Sequence, residues 1–498
     1  MHAQDAVVEW GEQSRAPLAW APVGLVAAAA AVVHLAVATR YGWHRDEFYY
    51  VICGRHPAWG YIDQPPLTPL LARLAAALPG GLWPLRVVAI AAQVGCILLT
   101  AVLAAELGGR RRAQLIAAAA VAACPVFVGV SALYGTAGTD QVMWLATLAL
   151  VARALRSGRT PAWALAGAVA GIGLENKSTV VVLLAGICLG LIMFRRHVLT
   201  GRGPWVAVAV AALFAVPNLL WDAAHGWPNL EMAKALSRAQ GGALGSLQQL
   251  PTLLVILAGP LLVALWVIGI RWLCSPDGRE HRWLLAATVA AVLLFTISGG
   301  KPYYAAPMLA ALYAAGGVRV EEAATARGRI VWPVAIAVSF VAAVLVWLPV
   351  LPVRAANAIH EVSPVLVETY GWPQFVDQVA AATATLPQDV PIFTSNYGEA
   401  GALSILGPAA GVDRRIYSGH NNYSLWGPPP GLPDTVLCVG RFKSGYLQRS
   451  WAQVRQIATI TPPDGVDNAE TAGHAAIYLC QQPRGSWVEL WPGLKHFD

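Results

Sequence analysis

Apolar runs of 15 to 23 residues recur between residues 18 and 350, separated by short polar or basic segments. A helix of about 20 apolar residues crosses the roughly 30 Å hydrocarbon core of a bilayer, and it satisfies its own backbone while doing so. The runs fall at 18–40, 85–107, 113–133, 141–155, 161–175, 178–194, 203–221, 250–271, 283–298, 303–318 and 330–350. They predict a polytopic α-helical membrane protein with about eleven transmembrane helices. Charged residues make up 12% of the chain, against about 25% in soluble globular proteins. Pro125, Pro217, Pro260 and Pro333 lie inside these runs, which membrane helices tolerate when neighbours satisfy the freed carbonyl.

The net charge of +7 reads as loop charge, not as a nucleic-acid surface. With a cytoplasmic N-terminus, the cytoplasmic loops hold Arg110 to Arg112, Arg153, Arg156, Arg159, Arg195, Arg196, Arg202, Arg271, Arg279, Arg282, Arg319, Arg327 and Arg329, as the inward bias of Lys and Arg requires. The first run lacks a small-residue cleavage site and reads as a retained span. An odd number of spans then sets the chain from 352 onward outside. The expectation is a multi-pass protein of the cytoplasmic membrane. Residues 1–351 form its transmembrane domain with an outer loop at 41–84, and residues 352–498 form an extracytoplasmic domain.

That tail has a different pattern. PQFVDQVAAATATLP reads as an amphipathic helix. VPIFTSN, DTVLCVGRF and HAAIYLCQQ read as strands, divided by turn-rich stretches such as HNNYSLWGPPPGLP. A small α/β domain is predicted. Cys438 and Cys480 lie in two of the strands and could pair outside the cytoplasm, although sequence does not give their separation. Cys53, Cys96, Cys124, Cys188 and Cys274 lie in or beside apolar runs, where an inert thiol is the ordinary outcome.

On this topology the polar clusters gather on the outer side. Asp46 and Glu47 are flanked by Trp43, Phe48, Tyr49 and Tyr50. Ionisable groups held near a bilayer are costly and usually functional, and a carboxylate among aromatic rings suits both a general base and a sugar. Asp63 in YIDQPPL and Asp140 in TAGTDQ each read either as a helix cap or as a further acid of one cavity. Lys177 in GLENKST sits at a run boundary, where a pair with Glu175 or a snorkelling lysine is the ordinary reading. Lys301 follows two glycines and precedes Tyr303 and Tyr304, and a lysine charge with tyrosine hydroxyls suits a phosphate. His225 could serve a metal or a proton transfer, but has no partner at fixed spacing. Acids for an acceptor and cations for a leaving phosphate fit transfer of a sugar from a lipid phosphate. Two alternatives are a flippase for lipid-linked sugars, which would carry its polar groups near mid-membrane in two symmetric halves, and a membrane-anchored binding protein, which would leave these clusters without chemistry.

Taken in order, DEFYY, YIDQPPL, TDQVMWL, GLENKST, LLWDAAHGWP and GGKPYYAAP resemble the C-type glycosyltransferase superfamily. Within it they are most similar to the family 39-like branch of protein O-mannosyltransferases and lipid A aminoarabinose transferases. The resemblance covers the membrane part. It implies the C-type fold, an active site built on the first outer loop, a polyprenyl-phosphate sugar donor, a protein, glycolipid or cell-wall glycan acceptor, and inversion at the anomeric carbon. It makes Asp46 the general base, with Glu47 completing the Asp-Glu hallmark and Asp140 the acid of the second outer loop. Lys177, Lys301, Tyr303 and Tyr304 would line the donor-phosphate site, with Asp63 and His225 at the substrate. Gln64 stands where the family's acid-Lys-Pro-Pro motif has lysine, which moves the expected phosphate contact to Lys301. Some relatives bind a divalent metal, and Asp63 with His225 would be the pair to hold it; no other cofactor is implied.

Overall fold

The structure is a computed structural model that describes residues 16–428, 431, 434–471 and 475–497. The polar segment through residue 15, Pro429, Pro430, Leu432 and Pro433 of the turn-rich stretch, and His474 at the start of the last strand-like run lie outside the described residues.

Every apolar run coincides with a helix or a broken helix. Trp20–Val37, Trp83–Glu106, Arg202–Ala224, Arg279–Ser298 and Gly328–Trp347 are each long and apolar enough to cross a membrane. Arg111–Ala123 and Pro125–Ser131 would make a sixth, bent by 58° where Pro125 has no N–H to continue the ladder. The run at 141–155 lies within Thr136–Ser157, and that at 303–318 covers part of a 3-10 turn at Pro302–Ala305 and most of Pro307–Ala323. Thr160–Leu174 and Val180–Phe194 have 15 residues each, which gives about 22 Å at 1.5 Å per residue, less than a bilayer core. The run at 250–271 is interrupted, with a π-helical turn at Thr252–Leu257, a break at Gly259 and an α-helix at Val263–Cys274.

Helix Pro307–Ala323 is buried along most of its length at the centre of the apolar core. Its Glu321 carboxylate accepts the backbone N–H groups of Arg110, Arg112 and Ala113 at 2.6, 2.8 and 3.2 Å, so an acid from one helix caps the N-terminus of another. Small residues let helices approach where there is no aqueous driving force between them. A Cβ added to Gly167 would stand 2.2 Å from the Ala207 carbonyl oxygen, which fixes the contact between Thr160–Leu174 and Arg202–Ala224.

The C-terminal region forms one five-stranded sheet from β1 (Ile392–Thr394), β2 (Ile416–Ser418), β3 (Thr435–Gly440), β4 (Trp451–Thr459) and β5 (Ala476–Pro483), in the order β2-β1-β3-β5-β4. β1 runs parallel to β2 and β3, and β5 runs antiparallel to β3 and β4. Helix Tyr397–Leu406 connects β1 to β2, and helix Trp372–Thr383 corresponds to the predicted amphipathic helix. Cys438 faces Tyr478 and Cys480 faces Val436 in the β3–β5 register, which puts the two buried thiols diagonally on one side.

The sheet and the 41–84 segment share their cores. Phe48 packs in one cluster with Trp372, Phe375, Leu437 and Val439, and Tyr49 and Tyr50 pack in another with Ala400 and Tyr423. The sequence divides the chain near residue 352, whereas the packing welds the first polar segment to the last domain.

Candidate active site

Helix Arg45–Arg55 carries the first two acids. His44 is its N-cap: the His44 N–H donates to Glu47 Oε2 at 2.9 Å, and His44 Nδ1 accepts the Asp46 N–H at 3.2 Å. This closes a capping box and sends the Asp46 and Glu47 side chains into different surroundings.

Glu47 points into the bundle and is fully buried. Arg86 Nε lies 2.7 Å from Glu47 Oε1, and Arg86 Nη2 donates to Oε2 at 2.9 Å. The Tyr134 N–H donates to Oε1 at 2.8 Å, while Arg86 also reaches the carbonyls of Gly42 and Ala132. Glu47 therefore joins this helix to Trp83–Glu106 and to the Tyr134 turn.

Asp46 keeps 38% of its side chain exposed. Its Oδ1 accepts the Tyr397 hydroxyl at 2.7 Å. Burial would raise the Asp46 carboxyl, but His44, Arg45, the Tyr397 bond and Lys301 outweigh it and hold the group below its ordinary value. Asp63 accepts the Tyr49 hydroxyl at 2.8 Å. Burial pushes Asp63 up to about 6, with the charge of Asp46 adding to the rise and the Tyr49 bond opposing it. Two carboxyls of one segment thus stand in opposite surroundings, one held below its ordinary value and the other raised above it.

The other polar clusters meet these two. Leu67 N–H donates to the Glu175 carbonyl at 2.8 Å, Thr68 donates to Asn176 at 2.7 Å, and Asn176 donates to the Thr136 carbonyl at 2.9 Å. Asp140 is buried and accepts the Thr179 hydroxyl at 2.9 Å. Lys177 Nζ stands 4.2 Å from the Tyr304 ring centroid and 5.4 Å from that of Tyr303, within cation–π range. The charge of Lys177 acts on Asp140, and that of Lys301 acts on both Lys177 and Asp46. Asp46, Asp63, Asp140, Lys177, Lys301, Tyr303 and Tyr304 therefore form one neighbourhood at one end of the bundle.

His225 is set apart from it. Its ring stacks on Trp221 at 4.1 Å and bonds the Trp221 carbonyl at 2.7 Å on an exposed rim. Among the described residues no three His, Cys, Asp or Glu side chains gather where a metal could be held, and Asp63 is engaged by Tyr49 instead. The described residues do not fit a metal carrier. Gln64 is buried beside Cys53.

Several residues that contact Asp46 or its neighbours His44 and Arg45 have no marker in the sequence. Tyr397 comes from the C-terminal domain, as do Glu368, which His44 Nε2 meets at 3.0 Å, and Glu470, which Arg45 meets at 2.9 Å. The stretch NYGE at 396–399 carries a readable signal, an Asn cap with Glu three residues later, but nothing in it announces a partner 351 positions away.

Residues 63–221 match the sequence model of a family described as dolichyl-phosphate-mannose-protein mannosyltransferase. No curated protein matches the chain by sequence. Among solved structures, ArnT from Cupriavidus metallidurans bound to undecaprenyl phosphate superposes with a TM-score of 0.64 at 15% identity, covering 93% of this chain and 98% of that one. The apo state of the same protein gives 0.60 at 14% identity, covering 92% and 97%. The arabinofuranosyltransferase AftD from Mycobacteria gives 0.53 at 13% identity, covering 94% of this chain and 40% of that one. The chain thus has the fold of the C-type glycosyltransferases and, over residues 63–221, the sequence character of the dolichyl-phosphate-mannose-protein mannosyltransferase family.

Proposed function

We propose that this chain is an integral-membrane glycosyltransferase that moves a sugar from a polyprenyl-phosphate carrier to an acceptor hydroxyl on the extracytoplasmic side of the cell membrane. The observation that carries the reading is the meeting of an ionised, accessible Asp46 with Lys177, Lys301 and a Tyr303–Tyr304 pair at one end of the bundle. In the reaction the acceptor oxygen attacks the anomeric carbon while the bond from that carbon to the phosphate oxygen breaks. The polyprenyl phosphate leaves with the electron pair, and Lys177 and Lys301 stabilise its negative charge. Asp46 takes the acceptor proton, and attack opposite the leaving group inverts the anomeric centre. Asp140 orients Lys177, and Glu47 fixes the helix that carries Asp46.

The basic loops between the apolar runs support about eleven spans with this end of the bundle outside, and residues 352–498 as a domain covering it. The similarity to ArnT, whose structure holds undecaprenyl phosphate, supports a polyprenyl carrier. The test is sugar transfer by the purified protein in lipid nanodiscs. It uses a panel of undecaprenyl-phosphate-linked mannose, arabinose, glucose and galactose, a membrane lipid extract as acceptor, and Asp46→Asn as control. Transfer or donor hydrolysis that disappears in the variant supports the reading. Equal turnover in both proteins overturns the role of Asp46.

A further inference from the structure

One side chain of the C-terminal domain bonds Asp46 directly. Tyr397 stands at the first turn of helix Tyr397–Leu406, directly after β1, with Asn396 as N-cap accepting the N–H groups of Gly398 and Glu399 at 2.8 and 3.1 Å. Such a cap, closed by Glu399 reaching back to the Asn396 N–H at 3.1 Å, gives the Tyr397 backbone a fixed origin. The ring lies 4.6 Å from that of Tyr49 and 4.8 Å from that of His420. Its hydroxyl donates to Asp46 Oδ1 at 2.7 Å. Burial, and then the charge of Asp46, hold the phenol well above its usual value, so it remains a donor.

We propose that Tyr397 is a positioning residue for the transfer reaction: its hydroxyl occupies Oδ1 of Asp46, turns Oδ2 toward the acceptor, and makes a seated C-terminal domain a condition for Asp46 to act as base. This rests on Asp46 being the base. The seating has its own hardware. A Cβ on Gly401 would lie 2.6 Å from the Phe48 Cβ, and one on Gly398 would lie 2.7 Å from the Arg45 Cβ, so helix Tyr397–Leu406 touches helix Arg45–Arg55 at glycine distance. Arg45 with Glu470, His44 with Glu368, and the Ile62 N–H on Asn422 Oδ1 at 3.1 Å tie the same surfaces. An unstructured linkage would need none of these.

The titratable groups facing Asp46 come from several elements. His44, Arg45 and Tyr50 belong to its own helix and cap, Asp63 lies further along the 41–84 segment, Lys301 and Tyr303 face it from the segment after residue 300, and Tyr397 and Glu368 face it from the C-terminal domain. Glu368 and Glu470 stand behind His44 and Arg45. Removing the Tyr397 hydroxyl leaves all the others in place, so the change in Asp46 titration reports that one bond.

The experiment compares wild type, Tyr397→Phe, Gly401→Leu and Asp46→Asn in nanodiscs. One readout is carbodiimide labelling of Asp46 against pH, followed by peptide mass spectrometry, which needs no substrate. The second is hydrolysis or transfer from the undecaprenyl-phosphate sugar that wild type turns over best. In Tyr397→Phe the Asp46 midpoint is expected to rise by about half a unit to one unit. The acid limb of kcat/KM should move up with it and kcat should fall roughly tenfold, with KM for donor little changed. Gly401→Leu keeps the phenol but lifts its helix, and is expected to give the same shift. A merely structural Tyr397 would lower stability without moving the acid limb. An Asp46 midpoint unchanged in Tyr397→Phe overturns the proposal, and so does wild-type turnover in that variant while Asp46→Asn is dead. An active Asp46→Asn would instead overturn the reading of Asp46 as base, and this proposal with it.

Discussion

Arg86→Met tests whether Glu47 serves the site by holding Asp46 in place. Glu47 is 0% exposed and Arg86 4% at the side chain, and their closest N–O distance is 2.7 Å. Removing the guanidinium leaves a buried carboxylate with only the Tyr134 and His44 N–H groups as donors. Losing one partner of such a pair costs about 3–5 kcal/mol, because the remaining charge stays desolvated. If that cost is carried by the opening of helix Arg45–Arg55, its amides should exchange roughly a hundred-fold to a few thousand-fold faster. Hydrogen exchange with mass spectrometry in nanodiscs reads this directly, with peptides from Pro307–Ala323 as an internal reference. A double variant, Glu47→Leu with Arg86→Met, removes both charges and should recover a large part of the loss, because a buried ion pair gains little over an apolar pair of similar volume. Arg86→Met with unchanged exchange in 45–55 would refute the reasoning, since the pair would then not be what anchors the helix.

Three further outcomes follow from the same geometry. Asp63 has a folded value of about 6, raised from 3.8. Between those values the folded state binds more protons than the unfolded state, so the contribution of Asp63 to stability falls as pH rises through that window. Asp46→Asn removes a charge that raises Asp63, so infrared titration should find the Asp63 carboxyl band disappearing at lower pH in that variant, and an unmoved band would separate the two acids. Lys177→Met and Lys301→Met should each weaken undecaprenyl phosphate binding by roughly ten- to a hundred-fold, measured by titration in nanodiscs, and unchanged affinity would move the phosphate elsewhere. Chelation by EDTA should leave turnover within about two-fold, because the charge of the phosphate rests on the lysines, and a loss restored by added metal would show a site that the acids of the 41–84 segment do not reveal.

The membrane part was legible because its signal is local. A span announces itself as about twenty apolar residues in a row; all eleven runs coincide with helices or broken helices, and five of these, or six with the bent pair, are long and apolar enough to cross a membrane. The breaks were harder to see. Gly259 splits one run and Pro125 bends another, and both depend on packing around a single residue. The acids and lysines were legible as well, because charge next to an apolar run is expensive and stands out. Their division of labour was not. Asp46 and Glu47 are adjacent and chemically alike, and only the position of Arg86, 39 residues on from Glu47, turns Glu47 inward. In the C-terminal domain, the β1, β3 and β5 runs were visible as apolar strands, whereas β4 reads WAQVRQIAT. It is an edge strand whose exposed side chains are polar apart from Ala452, so it lacks the apolar content that marks the others.

The boundary near residue 352 marks a change of composition that contacts cross, and the crossing extends to the chemistry. Composition changes there because the chain leaves the apolar part, and composition is the only thing a linear reading can weigh. Contact does not follow composition. Phe48 is an aromatic residue two positions from the first acid, and by sequence it belongs to the membrane domain, yet it fills the core of the C-terminal sheet. The consequence is energetic as well as descriptive. If the domain were a separate module, its removal would leave the 41–84 segment intact. With Phe48, Tyr49 and Tyr50 sharing its cores, truncation after residue 355 instead exposes three aromatic side chains and strands Arg45 and His44 without Glu470 and Glu368. Burial of one such ring is worth about 1.5–3 kcal/mol, so the segment that carries Asp46 should lose its order with the domain. The truncated protein should then show fast exchange across 45–55 with slow exchange retained in Pro307–Ala323. Slow exchange retained in both would mean that the bundle alone holds the acids in place, and the C-terminal domain would return to being a module attached to a finished site.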